Sequence, residues 1–267
     1  MTQKQTLTKW ALRSAALLYL AFLLVIPVGF VFARTFSHGF GVFWDALRTP
    51  GATHALKVTL EVALTATVLN TVFGVVAALL IVRHSFPGKS LFNVLIDLPL
   101  AVSPVVAGLA LILIYGRLTP IGEWLGHRGI NMIFALPGMV IATVFVSLPL
   151  VVRELVPVLE EIGTEQEQAA ATLGSSAFQT FRKITLPAIR WALAYGIVLA
   201  LARSLGEFGA VAVVSGRVVG QTQTLTLYVE QEYQNFDKTG AYAVSVLLAV
   251  MAISALIAMT VFRPKER

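Results

Sequence analysis

A few ionisable residues stand inside otherwise apolar stretches of this chain. Arg203 and Glu207, four positions apart within the run Trp191 to Ser215, are the clearest case. On a helix they share a face and can form an ion pair. A charge in hydrocarbon is costly and is normally paired or turned toward a polar cavity. Counting 1.5 Å per residue from Trp191 puts Arg203 roughly 20 Å along such a helix. Two roles fit. The pair neutralises itself and fixes its helix against a neighbour, or the guanidinium presents its planar donor fork to a passing anion. Ser204 adds a hydroxyl beside it. Asp97 precedes Pro99 and Pro104, with Ser103 between the prolines. Prolines so close should break or kink a helix and free backbone groups that must line a cavity or meet protein donors. The amides at a half-helix N-terminus attract anions, whereas a plain kink would only improve packing. Ser103, Pro104, Arg203, Ser204 and Glu207 are therefore the candidate lining of a membrane pathway, or an intramembrane pair with its neighbours. Glu61 can pair with Lys57 one turn earlier, as a structural contact.

Other chemistries find no support. The chain has no cysteine, which removes disulfides, thiolate metal sites and cysteine nucleophiles. His38, His54, His84 and His127 are far apart, and no metal-ligand spacing appears. Gly88-Lys89-Ser90 is like the end of a phosphate loop, but that motif needs a glycine at position 83, which is Arg. A short basic turn, Phe86 to Lys89, is the better reading. No serine or threonine is set beside His and Asp as a nucleophile, and Glu160-Glu161 falls on a polar surface. No catalytic residue, cofactor site or metal site is expected, and ATP hydrolysis by this chain is not.

The elements that position these residues are membrane spans. Hydrophobic residues make up 57% of the chain and charged residues 13%, about half the charged share of a soluble domain. A span needs about 20 mostly apolar residues. Six runs qualify: Trp10 to Ala33, Val58 to Val82, Leu91 to Tyr115, Met132 to Val152, Trp191 to Ser215 and Ala241 to Phe262. The first run is too long for a signal-peptide core and lacks a small-x-small exit. Basic residues resist translocation, so their distribution orients the chain. Lys4, Lys9, Arg13, Arg83, Lys89, Arg153, Arg182, Lys183, Arg190, Arg263, Lys265 and Arg267 fall on one side. Arg34, Arg48, Lys57, Arg117, Arg128, Arg217 and Lys238 fall on the other. This predicts cytoplasmic termini and a cytoplasmic segment between the fourth and fifth spans. The net charge of +6 is explained by this asymmetry and by anionic lipid head groups, without nucleic acid.

That cytoplasmic segment, 153–190 within a single domain of 1–267, carries the most patterned stretch of the sequence. From Thr164 to Leu173 the residues favour a short helix, with Thr164 and Glu167 spaced as a capping box. Ala169, Ala170 and Leu173 would form its small face, open to close approach by another protein. Gly174 permits a turn into a second helix from Ser176 to Ile184. Leu186-Pro187 would stop that helix before the next span. Ordered connectors of this length are more often functional than passive.

The spacing Gln168-Ala169-Ala170, three residues, Gly174, nine residues, Ile184, one residue, Leu186-Pro187 resembles the cytoplasmic EAA loop of binding-protein-dependent ABC importer permeases, the loop that docks on the ATPase. Gln168 stands where that family usually has glutamate. The segments Leu98 to Gly108, Phe86-Pro87-Gly88, Val151 to Pro157 and Ala202 to Val211 are similar to the sulfate and molybdate branch of type I permeases, and within it to the CysW-type sulfate/thiosulfate subunits. The resemblance implies an all-α polytopic inner-membrane protein of six transmembrane helices. It implies alternating access driven by ATP and Mg in a partner. The implied partners are a CysT-type sister permease, two copies of a CysA-type ATPase and a periplasmic sulfate/thiosulfate-binding protein. Glu167, Gln168, Ala169, Ala170, Leu173, Gly174, Ile184, Leu186 and Pro187 are its expected coupling residues. A molybdate or tungstate permease, usually pairing two identical chains, shares the Gly206 to Gly209 element. An ion-coupled secondary transporter would also have six spans and intramembrane charges, but no internal repeat is found and the patterned loop would have no task.

Overall fold

The computed structural model describes residues 3–37 and 39–262, and the described residues form helices and no strand. In chain order the α-helices are α1 (Gln3–Leu20), α2 (Ile26–Phe36), α3 (Phe40–Leu47), α4 (Pro50–Arg83), α5 (Lys89–Ala101), α6 (Pro104–Tyr115), α7 (Pro120–Gly126), α8 (Leu136–Ile162), α9 (Glu165–Thr172), α10 (Ala177–Thr180), α11 (Leu186–Leu205), α12 (Gly209–Val214), α13 (Leu225–Gln234) and α14 (Lys238–Phe262). Among the described residues, five helical stretches are long and apolar enough to cross a membrane: Leu12–Phe36, Pro50–Arg83, Leu136–Ile162, Ala177–Leu205 and Lys238–Thr260. The pair α5 and α6 makes a sixth if its two halves are one span. Met1, Thr2, His38 and the basic C-terminal residues Arg263, Lys265 and Arg267 lie outside the described residues.

Small residues let the central helices approach. Along α4 the buried positions Ala52, Ala55, Val62, Ala63, Ala66, Asn70, Gly74, Ala77, Ala78 and Ile81 recur at helical spacing and form a narrow seam. That seam packs on α8. A Cβ on Gly74 would lie 2.7 Å from Val151 Cγ1, so glycine there permits the contact. Toward one end of the bundle Ile81, Val151, Val152, Leu155, Leu159 and Ile189 join α4, α8 and α11. Toward the other, Val58, Met139, Val146, Val211, Val214 and Leu227 join α4, α8, α12 and α13. The stretch Leu12–Phe36 is different, because its most apolar window is not buried at all within the chain. Its main contacts outside itself are from α2 to α3 and α14.

Two breaks, two π turns and one longer helix revise the expected span limits. The third run is bent by 114° between α5 and α6, as the prolines suggested. Pro104 drives Ser103 out of the helical region, to φ −59° and ψ 132°, and then opens α6. The fifth run does not continue to Ser215. Helix α11 stops at Leu205, Gly206 to Phe208 are irregular, and α12 begins at Gly209. Its start is also earlier than expected, because Leu186-Pro187 does not end a helix. Residues Phe181–Thr185 form a π turn in which the Leu186 N–H reaches the Phe181 carbonyl. A proline ring crowds the carbonyl four residues back, and the wider turn relieves that clash and lets the helix run on. The same device precedes Pro27, where Ala21–Val25 is a π turn and the Ile26 N–H reaches Ala21 O. Likewise α8 runs to Ile162, ten residues beyond the expected end at Val152.

Candidate functional site

The segment between α8 and α11 folds as two short helices at a turn. Gly163, at φ +63°, ends α8, and Gly174, at φ +82°, turns α9 toward α10. At Gly174 the left-handed conformation is the one expected there, and a side chain would strain it. The capping box is not where the sequence suggested. The Thr164 side chain does not cap α9, and Gln168 Nε2 donates to Thr164 Oγ1 at 3.0 Å. The reciprocal box is formed by Ser176 and Gln179 at the start of α10.

Glu167 is released from capping because it faces inward. Its Oε2 accepts from Arg83 Nε at 3.0 Å, and its Oε1 accepts from Arg83 Nη2 at 3.3 Å and from Thr185 Oγ1 at 2.8 Å. Ala170 beside it is buried, whereas Gln168 and Ala169 are exposed. Leu173 is 87% exposed and Phe178 70%. Two large apolar side chains thus stand exposed on a short polar segment. Ile184 and Leu186 are half-buried and Pro187 is exposed, on the helix that leads into α11.

The candidate pathway residues gather around two breaks that meet. Pro104, opening α6, lies against Gly209, opening α12; a Cβ on Gly209 would be 3.0 Å from Pro104 Cβ. Gly108 similarly admits Ala210 O. Gly206 meets nothing beyond its own helix. Arg203 Nη1 is 2.7 Å from Glu207 Oε2, with the two side chains 39% and 2% exposed. The pair forms although Glu207 lies past the end of α11. Glu207 does more than neutralise: its Oε1 accepts from the Ala210 N–H at 3.0 Å, capping α12, and its carbonyl accepts from Thr226 Oγ1 at 2.9 Å. Ser103 is exposed, but Ser204 turns into the bundle. Ser204 Oγ donates to Ala200 O and lies 3.3 Å from Ser147 Oγ.

Two contacts were not expected. Arg153, placed by sequence at the cytoplasmic edge, lies within α8 and grips Asp97 of α5 with two nitrogens, Nε on Oδ1 at 2.6 Å and Nη2 on Oδ2. The intramembrane Asp97 thus has a basic partner, although neither residue is deeply buried. Asn70 is fully buried on α4 and donates to Val144 O at 3.1 Å and to Ser147 Oγ at 2.8 Å. A polar cluster therefore joins α4, α8 and α11. An asparagine in a long apolar run was the available signal. The Lys57 and Glu61 pair is present at 3.7 Å on the surface. Among the described residues no group of acidic, His or Cys side chains is arranged to hold a metal.

Beyond the spans, at the corner between α13 and α14, burial and the neighbouring Asp237 carboxylate hold the Glu232 carboxyl above its ordinary range. Burial likewise pushes up the Tyr228 phenol, whose oxygen lies 3.3 Å from Thr49 Oγ1.

The family profile described as "Binding-protein-dependent transport system inner membrane component" matches residues 70–267. A sulfate transport system permease protein CysW of Synechocystis sp. is 48% identical over 93% of this chain and 90% of its own length. A sulfate transport system permease protein CysT of Escherichia coli K12 is 38% identical over 88% of this chain and 85% of its own. Among solved structures, a bacterial alginate ABC transporter in complex with an alginate pentasaccharide-bound periplasmic protein superimposes with a TM-score of 0.78. It is 16% identical and covers 97% of this chain and 93% of that one, a likeness of fold.

Proposed function

This chain belongs to the binding-protein-dependent transport system inner membrane components, and we propose that within that family it is the CysW-type permease of an ATP-driven sulfate and thiosulfate importer. As a family member it is a multi-pass inner-membrane permease that works with a periplasmic binding protein, and it is not itself an enzyme. Greater identity to a CysW than to a CysT relative, 48% against 38%, favours pairing with a CysT-type sister permease. Two CysA-type ATPases complete the complex, with a sulfate/thiosulfate-binding protein outside and both termini of this chain in the cytoplasm.

The observation that carries the coupling role is the surface of segment 153–190. Leu173 and Phe178 stand exposed there while Glu167 anchors α9 from behind. Such a helix can receive an ATPase without loosening from its own chain. Closure of the ATPases would displace α9 and, through it, the spans. The binding protein and ATP would favour the same outward-facing state, since a ligand shifts an equilibrium only by differential affinity. Arg203, half-buried beside the break between α11 and α12, is the candidate group to meet the anion.

Isolation of the intact complex through a tag on this chain tests the proposal. The expected result is a sister permease and an ATPase at equal copy number of permeases and ATPases, with uptake of radiolabelled sulfate outcompeting molybdate. A complex of two identical copies of this chain that prefers molybdate would replace the substrate assignment. Transport by this chain without any ATPase would overturn the mechanism.

A further inference from the structure

We propose that Arg83 is the positioning residue through which displacement of α9 reaches α4 and α8, so that it couples the ATPase contact to two spans that α9 barely touches. The inference rests on the coupling role proposed for α9. The packing of α9 is chiefly on α10 and on the π turn Phe181–Thr185. Both belong to the stretch that leads into α11. By packing alone, a push on α9 would be delivered to α11. A cavity of about 410 Å³, lined by Leu79 and Arg83 of α4 and by Glu167, Ala171 and Phe181, lies beside this segment. Apolar packing therefore does little to join α9 to the end of α4.

Arg83 bridges that gap. Its side chain is 11% exposed and donates four hydrogen bonds. Nε and Nη2 hold the Glu167 carboxylate, at 3.0 and 3.3 Å. Nη1 donates to Leu159 O at 3.0 Å and Nη2 to Gly163 O at 2.7 Å. Those two carbonyls lie at the C-terminal end of α8, where carbonyls lack intrahelical partners and attract cations. They are left open because Gly163 turns out of the helix at φ +63°. Thr185, 4% exposed, completes the junction by donating to the same carboxylate at 2.8 Å. One guanidinium thus joins the end of α4, the end of α8 and the first turn of α9, while the carboxylate adds the root of α11. A planar fork can meet these acceptors together, and a lysine ammonium on a flexible stem cannot reproduce that geometry.

The test uses the intact complex reconstituted in lipid vesicles with its binding protein, measuring radiolabelled sulfate taken up per ATP hydrolysed. Arg83→Lys and Arg83→Gln should lower this ratio about tenfold, within the usual range of coupling between sites, while the ATPase still co-purifies. Charge retention in Arg83→Lys should not rescue it. If the Arg83 variants fail to assemble, Glu167→Gln is read instead, because it keeps the guanidinium on the α8 carbonyls and weakens only its hold on α9. An unchanged ratio in Glu167→Gln, or in both Arg83 variants, overturns the proposal. Leu173→Asp separates the underlying premise: it should release the ATPase, and full ATPase retention and uptake in that variant would remove the docking role of α9 itself.

Discussion

Arg203→Ala should damage the complex more than Glu207→Gln, and the reason lies in unequal burial. Glu207 is 2% exposed and Arg203 39%. Removing Arg203 leaves a nearly enclosed carboxylate with one remaining donor, the Ala210 N–H at 3.0 Å. Stranding a buried charge in this way costs about 3–5 kcal/mol when the partner is also buried. Because Arg203 is more than a third exposed, screening reduces the value of the pair, and about 2–3 kcal/mol is the reasoned figure. Glu207→Gln keeps an oxygen for the Ala210 N–H and leaves Arg203 with access to its surroundings, so about 1 kcal/mol is expected, the scale of a hydrogen bond.

The double variant should then cost less than the two single changes together, since neither leaves a stranded charge when both are made. Thermal inactivation of the purified complex, with assembly followed in parallel, gives the coupling energy of the cycle. Additive and small losses would refute the reasoning by placing neither side chain in a low-dielectric site. The same variants separate a substrate contact from a structural pair. If Arg203 meets the anion, uptake falls in a fully assembled Arg203→Ala complex and Glu207→Gln does not restore it.

Three further outcomes are expected. Gly174→Leu places a side chain at φ +82° and should lower uptake by distorting the turn after α9 while the chain still inserts; Gln168→Glu, the residue usual in the EAA loop, should be tolerated. Wild-type uptake and ATPase coupling in Gly174→Leu would count against the turn's role. In this cysteine-free chain, Ser37→Cys should react with an impermeant reagent in intact cells, and Ser85→Cys only after permeabilisation; labelling of both in intact cells contradicts the proposed orientation. For Glu232, the raised folded value means the protonated form is favoured by folding. Its stabilising contribution is present below the ordinary glutamate range and is lost as pH rises through the folded value. Glu232→Gln should therefore flatten the loss of thermal stability across that window, and identical pH profiles would remove the assignment.

Composition alone carried the membrane architecture, because 57% hydrophobic residues leave room for little else. Local chemistry was legible where one residue decides it. Pro104 fixes Ser103 outside the helix, and Gly174 takes the left-handed turn. Sequence misled where tertiary partners outbid a local motif. Thr164 and Glu167 are spaced as a capping box, yet Glu167 turns to the Arg83 guanidinium, where it finds two N–H donors and a full positive charge, rather than to the single amide of its own turn. Pro187 reads as a stop only if the helix must stay α, and a π turn removes that condition. Arg153 reads as a basic residue on the cytoplasmic side, and spacing gives no sign of its partner Asp97, 56 positions earlier. The Glu167 and Arg153 contacts are satisfied from far along the chain. Hydropathy windows cannot register such pairings, so the apolar frame was readable in advance, whereas the polar contacts that tie its helices together had to be found in the fold.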